Sequence, residues 1–246
     1  MDLITVREIR VPGTRDEISF APGERPLGGG TWLFSEPQPE LTGLVDLMGL
    51  GWPPITVTDA GLEIAATCTI AQLVAFHPPA EWTAWPLVAQ CANSLLASWK
   101  IWNLATVGGN VALALPAGAM TSLMVALDAS ALIWGAGERR VNVVDFVTGV
   151  RSTVLEQGEV LRSLHIPLAS LTGTTGFRRI ALSPLGRTGT LVTVRDGVFT
   201  VTGGTTRPHV LPDGDISSVD DWYDDAHGSA DWRRAMSALF IEELRG

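Results

Sequence analysis

Short stretches in which apolar and polar positions alternate predict the strands of this chain. Residues 55–58 and 62–65 alternate on either side of the turn Asp59-Ala60-Gly61, which predicts a β-hairpin. The same pattern predicts a second hairpin from residues 131–134 and 139–143, and a third around Asp196-Gly197. Further strands are expected at residues 44–47, 159–166, 177–182, 191–195 and 198–202.

Helices are predicted where the spacing of apolar positions changes to the helical period. Thr69 is a candidate cap for a helix that reaches Phe76, and Pro116 suits the first turn of a helix that reaches about residue 128. That second helix is apolar on every face and should be central. Two more helices are expected at residues 85–99 and 230–244. Because helices and hairpins are mixed without regular alternation, the predicted fold class is α+β, not doubly wound α/β.

Residues 101–127 carry no charge, and a stretch of this length is also typical of a membrane span. The stretch contains Asn103, Pro116 and the pair Gly108-Gly109, and a lipid-exposed helix would leave backbone groups unsatisfied at such breaks. We therefore expect no membrane span. We expect a loop and a helix that are buried inside a soluble protein, beneath a ligand.

The composition narrows the classes of function. The chain has 246 residues, 46% of them apolar, with a net charge of −9. It can therefore bury a proper core, while its acidity disfavours a nucleic-acid partner. Cys68 and Cys91 form no CxxC pair and no cluster with the four histidines, so the chain holds no zinc finger or iron–sulfur cluster by itself. Two cysteines and an N-terminus without an apolar leader favour a reduced, cytoplasmic protein.

Nine tryptophans are a high number for a chain of this length. We expect those in apolar runs to belong to the core, and an exposed subset would mark a subunit interface. The tryptophans in apolar runs are Trp82, Trp85, Trp99, Trp102 and Trp134.

Residues 28–32, the first glycine loop, read Gly28-Gly29-Gly30-Thr31-Trp32. Three glycines permit positive φ angles and remove side chains from one side of the turn, so successive backbone N–H groups can converge on an anion. Thr31 adds a hydroxyl donor. Taken alone, the segment is equally compatible with a plain flexible turn.

Residues 106–110, the second glycine loop, read Thr106-Val107-Gly108-Gly109-Asn110 and lie within the uncharged stretch. Two adjacent glycines in a buried region cost about 1 kcal/mol each relative to alanine. The close approach of a ligand would offset that cost, and a tight crossing of two backbone segments is the alternative.

Other known site types are poorly supported. Leu33 stands where a Rossmann GxGxxG motif needs its third glycine, and no Walker-type loop precedes Lys100, the only lysine. HExxH and GxSxG motifs are absent from the sequence, and no side chain is an obvious acid–base catalyst. The aspartates of residues 213–231 lack EF-hand spacing and are expected to form a solvated loop, so no metal site is predicted.

A series of motifs along the chain resembles the FAD-binding medium subunit of molybdenum hydroxylases, the xanthine dehydrogenase and carbon monoxide dehydrogenase family. The first half carries Leu27-Gly28-Gly29-Gly30-Thr31, Leu44-Val45-Asp46-Leu47, Ala105-Thr106-Val107-Gly108-Gly109-Asn110, Pro116-Ala117-Gly118 and Ala126-Leu127-Asp128-Ala129. The second half carries Gly158-Glu159-Val160-Leu161 with Ile166-Pro167, Gly203-Gly204 with Arg207-Pro208, and Trp232-Arg233-Arg234. The resemblance spans nearly the whole chain.

The resemblance implies a fold of the PCMH type with two α/β lobes, residues 1–56 and 57–168, and a C-terminal sheet-and-helix domain, residues 169–246. It implies that both glycine loops hold the pyrophosphate of FAD and that Leu161 packs near the flavin. Arg179, in Phe177-Arg178-Arg179, is the implied basic contact of the cofactor, with a solvated strand charge as its alternative role.

Two positions depart from the family pattern. Trp32 replaces a small polar residue and either stacks on a ring or packs, while Ala119 replaces an aspartate. A lost carboxylate removes a hydrogen bond worth about 1 kcal/mol, so FAD binding is expected to weaken severalfold without being abolished.

The expected function is that of an FAD-binding electron-transfer subunit of an oxidoreductase complex. The resemblance implies two partners, a large molybdopterin subunit and a small [2Fe–2S] subunit, and an acceptor such as NAD. A flavin-free structural or assembly subunit of such a complex is the alternative, motivated by Trp32 and Ala119. A stand-alone flavin oxidase is disfavoured because the chain has neither an acid–base residue nor a substrate lobe.

Overall fold

A computed structural model describes residues 3–246 of the chain. The first part contains a three-stranded parallel sheet of β1 (Glu8–Arg10), β2 (Glu24–Leu27) and β3 (Gly43–Asp46) in the order β1-β3-β2. Leu27, Leu41 and Leu44 form its small buried core. The first glycine loop starts directly after β2, so this sheet fixes the place where the loop begins.

The second sheet has five antiparallel strands in the order β4-β5-β10-β6-β7. The predicted hairpins are confirmed as β4 (Ile55–Thr58) with β5 (Gly61–Ala65), and β6 (Ser130–Trp134) with β7 (Glu138–Asn142). β10 (Val160–Pro167) lies between them and joins the two hairpins into one sheet. The largest apolar core packs on this sheet.

Five short helices cover that sheet: α1 (Ile70–Ala75), α2 (Pro86–Ser94), α3 (Trp99–Leu104), α4 (Val107–Ala112) and α5 (Ala119–Ala126). Thr69 caps α1 as predicted, in a capping box with Gln72. All eight residues of α5 are buried, which confirms the prediction of a central helix, although it begins three residues after Pro116.

The single helix predicted for residues 85–99 is wrong. The chain leaves the helical conformation at Leu95 and re-enters a helix after Ser98, whose hydroxyl accepts from the N–H of Ile101. Apolar spacing continues across the break, so periodicity alone does not reveal it. The break forms residues 94–98 into a wall that faces the two glycine loops.

Between β7 and β10 the chain forms α6 (Val143–Phe146) and the small ribbon of β8 (Val147–Gly149) and β9 (Ser152–Thr153). After β10, α7 (Leu168–Leu171) connects the second sheet to the third. The third sheet is antiparallel, with β11 (Thr175–Ile180), β12 (Thr190–Arg195), β13 (Val198–Thr202) and β14 (His209–Leu211) in sequence order. α8 (Ala230–Arg245) packs against it. Asp196 and Gly197 have φ values of 50° and 85°, as the predicted hairpin turn requires.

The predicted α+β class is confirmed by this mixture of short helices and antiparallel sheets. In residues 3–246, no helix is both long and apolar enough to cross a membrane. The tryptophan prediction is wrong for Trp99, which is 82% exposed, whereas Trp82 is buried and Trp85, Trp102 and Trp134 pack against core residues. Trp99 is the first residue of α3, a short helix at the surface.

Candidate functional site

A cavity of about 700 Å³ lies between the first sheet, the helices and the third sheet. We call it the glycine-loop cavity, because both glycine loops line it. The predicted site residues on its wall are Gly28, Gly29, Gly30, Thr31, Trp32, Thr106, Gly108, Gly109, Asn110 and Leu161. Its volume lies within the range of about 300–1,000 Å³ that is typical of sites for small organic ligands.

The first glycine loop presents backbone donors. Gly30 has a φ of +67°, and the N–H of Phe34 donates to the Gly30 carbonyl at 2.9 Å, which closes a single helical turn. Within residues 3–246, no protein group accepts from the backbone N–H groups of residues 29–33. Such a run of unpaired donors at the start of a turn is suited to an anion.

The second glycine loop uses its donors internally. The N–H groups of Val107 and Gly108 donate to the carbonyls of Cys68 and Ala66, at 2.8 and 3.0 Å. Thr106 caps α4 by accepting from the N–H of Gly109 at 3.0 Å. These bonds fasten the loop to the strand-to-helix connection beneath it and leave little backbone donor capacity for a ligand.

Glycine is required in both loops because backbone segments cross here. A Cβ on Gly108 would lie 2.5 Å from the Cα of Ala66, and a Cβ on Gly29 would overlap the carbonyl oxygen of Leu104. No real side-chain carbon lies at such distances, so any larger residue would push the segments apart. Gly108 therefore lies at a tight crossing of two backbone segments, which is the alternative that the sequence left open. It also lines the cavity.

The remaining predicted residues occupy different places. Asn110 lines the cavity, but its side-chain oxygen accepts from the N–H of Met120 at 2.8 Å and so ties α4 to α5. Leu161 on β10 is buried at the cavity wall. Val107 is fully buried in the core and does not line the cavity. Val107 contributes to the site only through its backbone, as part of α4.

Arg179 lies outside the cavity lining. Its Nε donates to the hydroxyl of Thr188 at 2.7 Å and a terminal nitrogen donates to the carbonyl of Gly186 at 2.6 Å. Burial lowers the pKa of the Arg179 guanidinium from its usual value, so the side chain is not a solvated strand charge. Arg179 holds the loop that carries Arg187, and it is Arg187 that lines the cavity.

Sequence reasoning did not identify Arg187 or the wall of residues 94–98. Nothing in the local sequence Pro184-Leu185-Gly186-Arg187 distinguishes this arginine from a solvated loop residue. The one sequence signal for Arg187 was its position between Gly186 and Gly189. These two glycines do not form a motif like that of either glycine loop.

The charge of the cavity differs from that of the whole chain. Within the described residues, its lining contains no Asp, Glu, Lys or His, and the two charged residues are Arg25 and Arg187. The chain as a whole has a net charge of −9. A positively charged cavity in an acidic protein is suited to an anionic ligand, because acidic side chains at the wall would repel it.

The two departures from the family pattern differ in position. Trp32 lines the cavity, and its ring centroid lies 5.7 Å from the guanidinium carbon of Arg187. Its indole N–H is buried without a protein partner among the described residues. Ala119 is fully buried at the first position of α5, behind Gly118, and does not line the cavity. The effect of both on FAD affinity stays a prediction.

The aspartate-rich segment is not simply solvated, contrary to the expectation. Asp221 lies 2.5 Å from Nε2 of His209 and accepts from the hydroxyl of Thr206, while Asp225 pairs with the fully buried Arg233. In the part of the chain that the structure describes, no group of three acidic, His or Cys side chains is arranged to hold a metal. These acids fasten the third sheet to α8.

Both cysteines are buried and unpaired. Burial raises the pKa of the Cys68 thiol to about 12 and also raises that of Cys91. Both thiols therefore stay protonated at neutral pH, which suits structural and not redox-active cysteines.

A sequence model of one family, described as the FAD binding domain in molybdopterin dehydrogenase, matches residues 16–169. The chain is 28% identical over 148 residues to the carbon monoxide dehydrogenase medium chain of Afipia carboxidovorans, a match that covers 58% of this chain and 51% of that protein. It is 31% identical over 121 residues to aldehyde oxidase 2 of Cavia porcellus, covering 46% of this chain and 9% of that protein. The chain thus spans about half the length, or less, of these curated relatives.

Solved structures share the fold along nearly the whole chain. A cyanide-inactivated Cu,Mo-CO dehydrogenase superposes with a TM-score of 0.83 at 21% identity, covering 97% of this chain and 96% of that chain. Quinoline 2-oxidoreductase from Pseudomonas putida 86 gives 0.79 at 22% identity, covering 96% and 94%. The predicted fold is thereby confirmed, and the cofactor named by the matching family is FAD.

Proposed function

Because the chain belongs to the family of FAD-binding domains in molybdopterin dehydrogenases, we propose that the glycine-loop cavity holds FAD and that the chain is the electron-transfer subunit of an oxidoreductase complex. The backbone donors of the first glycine loop bind the pyrophosphate. The second glycine loop forms the floor of the cavity, and Leu161 packs near the flavin.

The observation that carries this proposal is the chemistry of the cavity wall. Unpaired backbone donors at residues 29–33, Arg25 and Arg187 face a volume without acidic residues, in a chain that is otherwise acidic. This donor set fits a dianionic pyrophosphate. The apolar side chains Leu95, Leu113 and Leu161 fit the aromatic part of the same ligand.

Bound FAD supplies the redox chemistry, since a flavin accepts electrons singly and gives them up as a pair. The residues of this chain bind and orient it. The apolar wall restricts water at the ring, and the glycine backbone allows the pyrophosphate to approach without a side chain between them. No acid–base side chain lines the cavity within the described residues, so no proton transfer is assigned to this chain.

We further propose that the chain works with a large molybdopterin subunit and a small [2Fe–2S] subunit, and passes electrons from the clusters to NAD or another acceptor in the cytoplasm. The matched medium chain of a carbon monoxide dehydrogenase supports this assignment. The division into residues 1–56, 57–168 and 169–246 is part of the proposal. The order of the three larger sheets supports it, except that β4 (Ile55–Thr58) of the second sheet crosses the boundary at residue 56.

The proposal is tested by adding FAD to the purified chain and recording its absorbance. We expect flavin bands near 375 and 450 nm and about one FAD per chain, an estimate from flavin chemistry. Ala112→Trp fills the cavity and should abolish uptake. Ala136→Trp makes the same change in an exposed hairpin turn and should leave uptake unchanged. A wild-type chain that folds but takes up no FAD would contradict the proposal and favour a flavin-free structural subunit.

A further inference from the structure

Arg187 is the only stacked arginine that lines the glycine-loop cavity in the described chain. Its guanidinium lies over the ring of Trp32, the last residue of the first glycine loop. Arg162, by comparison, stacks on Trp52 and Trp134 but does not line the cavity. The third sheet thus brings a cation to the end of the first glycine loop.

The charge of Arg187 is not neutralised by the protein. Within residues 3–246, no acidic side chain forms an ion pair or hydrogen bond with it. Stacking on an indole uses the face of the guanidinium and leaves the N–H donors at its edge available. Those donors suit two oxygens of a phosphate group.

The loop that carries Arg187 is fixed from both sides. Arg179 donates to the Thr188 hydroxyl and the Gly186 carbonyl, the residues on either side of Arg187. The Thr188 hydroxyl in turn donates to the carbonyl of Ser94, which belongs to the cavity wall. The buried Arg233 holds the carbonyl of Gly189 at 2.6 Å. These bonds fix the backbone on both sides of the exposed Arg187, and its guanidinium is further held against Trp32.

We propose that Arg187 binds the FAD pyrophosphate at the Trp32 end of the first glycine loop, beside the backbone donors of that loop, and that Arg179 and Thr188 are positioning residues that hold it there. The inference rests on the proposed function, since it needs FAD in the cavity. It assigns the basic contact of the C-terminal part to Arg187 instead of Arg179, the residue that the sequence suggested.

The test compares three ligands, namely FAD, ADP and riboflavin, by equilibrium titration. Arg187→Gln should weaken FAD and ADP binding by at least about tenfold, because a charged hydrogen bond to phosphate is lost. Riboflavin has no phosphate, so its affinity should change less than about twofold. The FAD affinity of the variant should also depend less on salt than that of the wild type.

Two further variants separate contact from positioning. Thr188→Val keeps the shape of the side chain and removes the hydroxyl that links Arg179 to Ser94, so it should weaken FAD and ADP binding, but not riboflavin binding. Arg178→Gln is the matched control, because Arg178 lies beside Arg179 on β11 and pairs with Glu243 away from the cavity. It should bind all three ligands like the wild type.

The outcomes distinguish the two proposals. If the wild type binds FAD and Arg187→Gln binds it equally well, the inference is overturned and the proposed function stands. If Arg187→Gln weakens riboflavin as much as FAD, Arg187 acts on the ring or on the fold, and the inference is again overturned. If the wild type binds none of the three ligands, the proposed function fails and the inference with it. Urea unfolding of each variant shows whether a loss arises from lower stability.

Discussion

The two glycine loops have similar sequences and different structural roles. In the first, Gly30 adopts a left-handed conformation and the N–H groups of residues 29–33 have no protein acceptor in the described chain. In the second, the N–H groups of Val107, Gly108 and Gly109 are all accepted by protein oxygens. The first loop therefore carries binding capacity, whereas the second provides the close packing that keeps the first in position.

This difference shows that a glycine motif near a ligand need not touch it through its backbone donors. Gly108 is required because α4 lies against Ala66, and Gly29 is required because the first loop lies against the carbonyl of Leu104. The two loops meet at Gly28, where a Cβ would lie 2.8 Å from the hydroxyl oxygen of Thr106. Substitutions in the second loop should lower stability, and substitutions in the first should lower affinity, with a loss of stability as well at Gly29.

The largest effect is expected at Gly108. Gly108→Ala places a Cβ 2.5 Å from the Cα of Ala66, where neither backbone segment has room to move. We expect a loss of about 3 kcal/mol in the free energy of unfolding, measured as a lower urea midpoint without FAD. Gly137→Ala is the control, because no atom lies within 4 Å of its Cβ, and it should change the midpoint little. Equal midpoints for the two variants would show that the crossing is not tight.

A smaller effect on stability, with a clear effect on affinity, is expected at Gly30. Gly30→Ala forces alanine into a φ of +67°, which costs about 1–2 kcal/mol of stability. The new Cβ would also lie 2.6 Å from the Phe34 ring, which adds to that loss. It should also weaken FAD binding at least about tenfold, because the donors of the loop turn away from the ligand. The measurement is an FAD titration below the unfolding transition.

Gly51 offers a matched control for that experiment. It has a φ of +58°, no atom lies within 4 Å of the position that a Cβ would take there, and the residue lies outside the cavity lining. Gly51→Ala should therefore lose only the cost of the left-handed backbone, about 1–2 kcal/mol, while its FAD affinity stays unchanged. If both alanine variants bind FAD like the wild type, the first glycine loop does not provide the binding donors.

The smallest effect is expected at the cap of α4. Thr106→Val removes the hydroxyl that accepts from Gly109 and should lower the free energy of unfolding by about 1 kcal/mol, with FAD affinity changed less than about twofold. Thr106→Ser should keep the cap. Thr69→Val makes the same change at α1, away from the cavity, and sets the reference loss. A tenfold loss of FAD affinity in Thr106→Val alone would contradict the structural role of the second loop.

Much of the fold could be predicted because its signals are local. The hairpins at Asp59-Ala60 and Asp196-Gly197 follow from alternation and turn chemistry, and the cap at Thr69 follows from its side chain. The α2–α3 break could not be predicted from periodicity, because residues 95–98 keep apolar spacing, and its one local signal is the capping residue Ser98.

The part of the candidate site that lies in glycine motifs could be predicted from the sequence. Ten of the proposed cofactor-binding residues line one cavity, but Arg179 was expected in a position that Arg187 occupies. Arg179 lies on β11, and Arg187 lies on the loop that follows it. The path of that loop is fixed by hydrogen bonds to Ser94 and Arg233, which are distant from it in sequence. Motif spacing contains no information of that kind.

The order of the segments has a consequence for synthesis on the ribosome. Gly28 emerges early, whereas β10, the middle strand of the five-stranded sheet, and Arg187 follow about 130 to 160 residues later. At translation rates of roughly 5 to 20 residues per second, the interval lasts about 7 to 32 seconds. During it, the first glycine loop exists without the strand and the cation that complete its cavity. If the proposed function holds, loading of FAD therefore belongs to the end of translation or to the time after release.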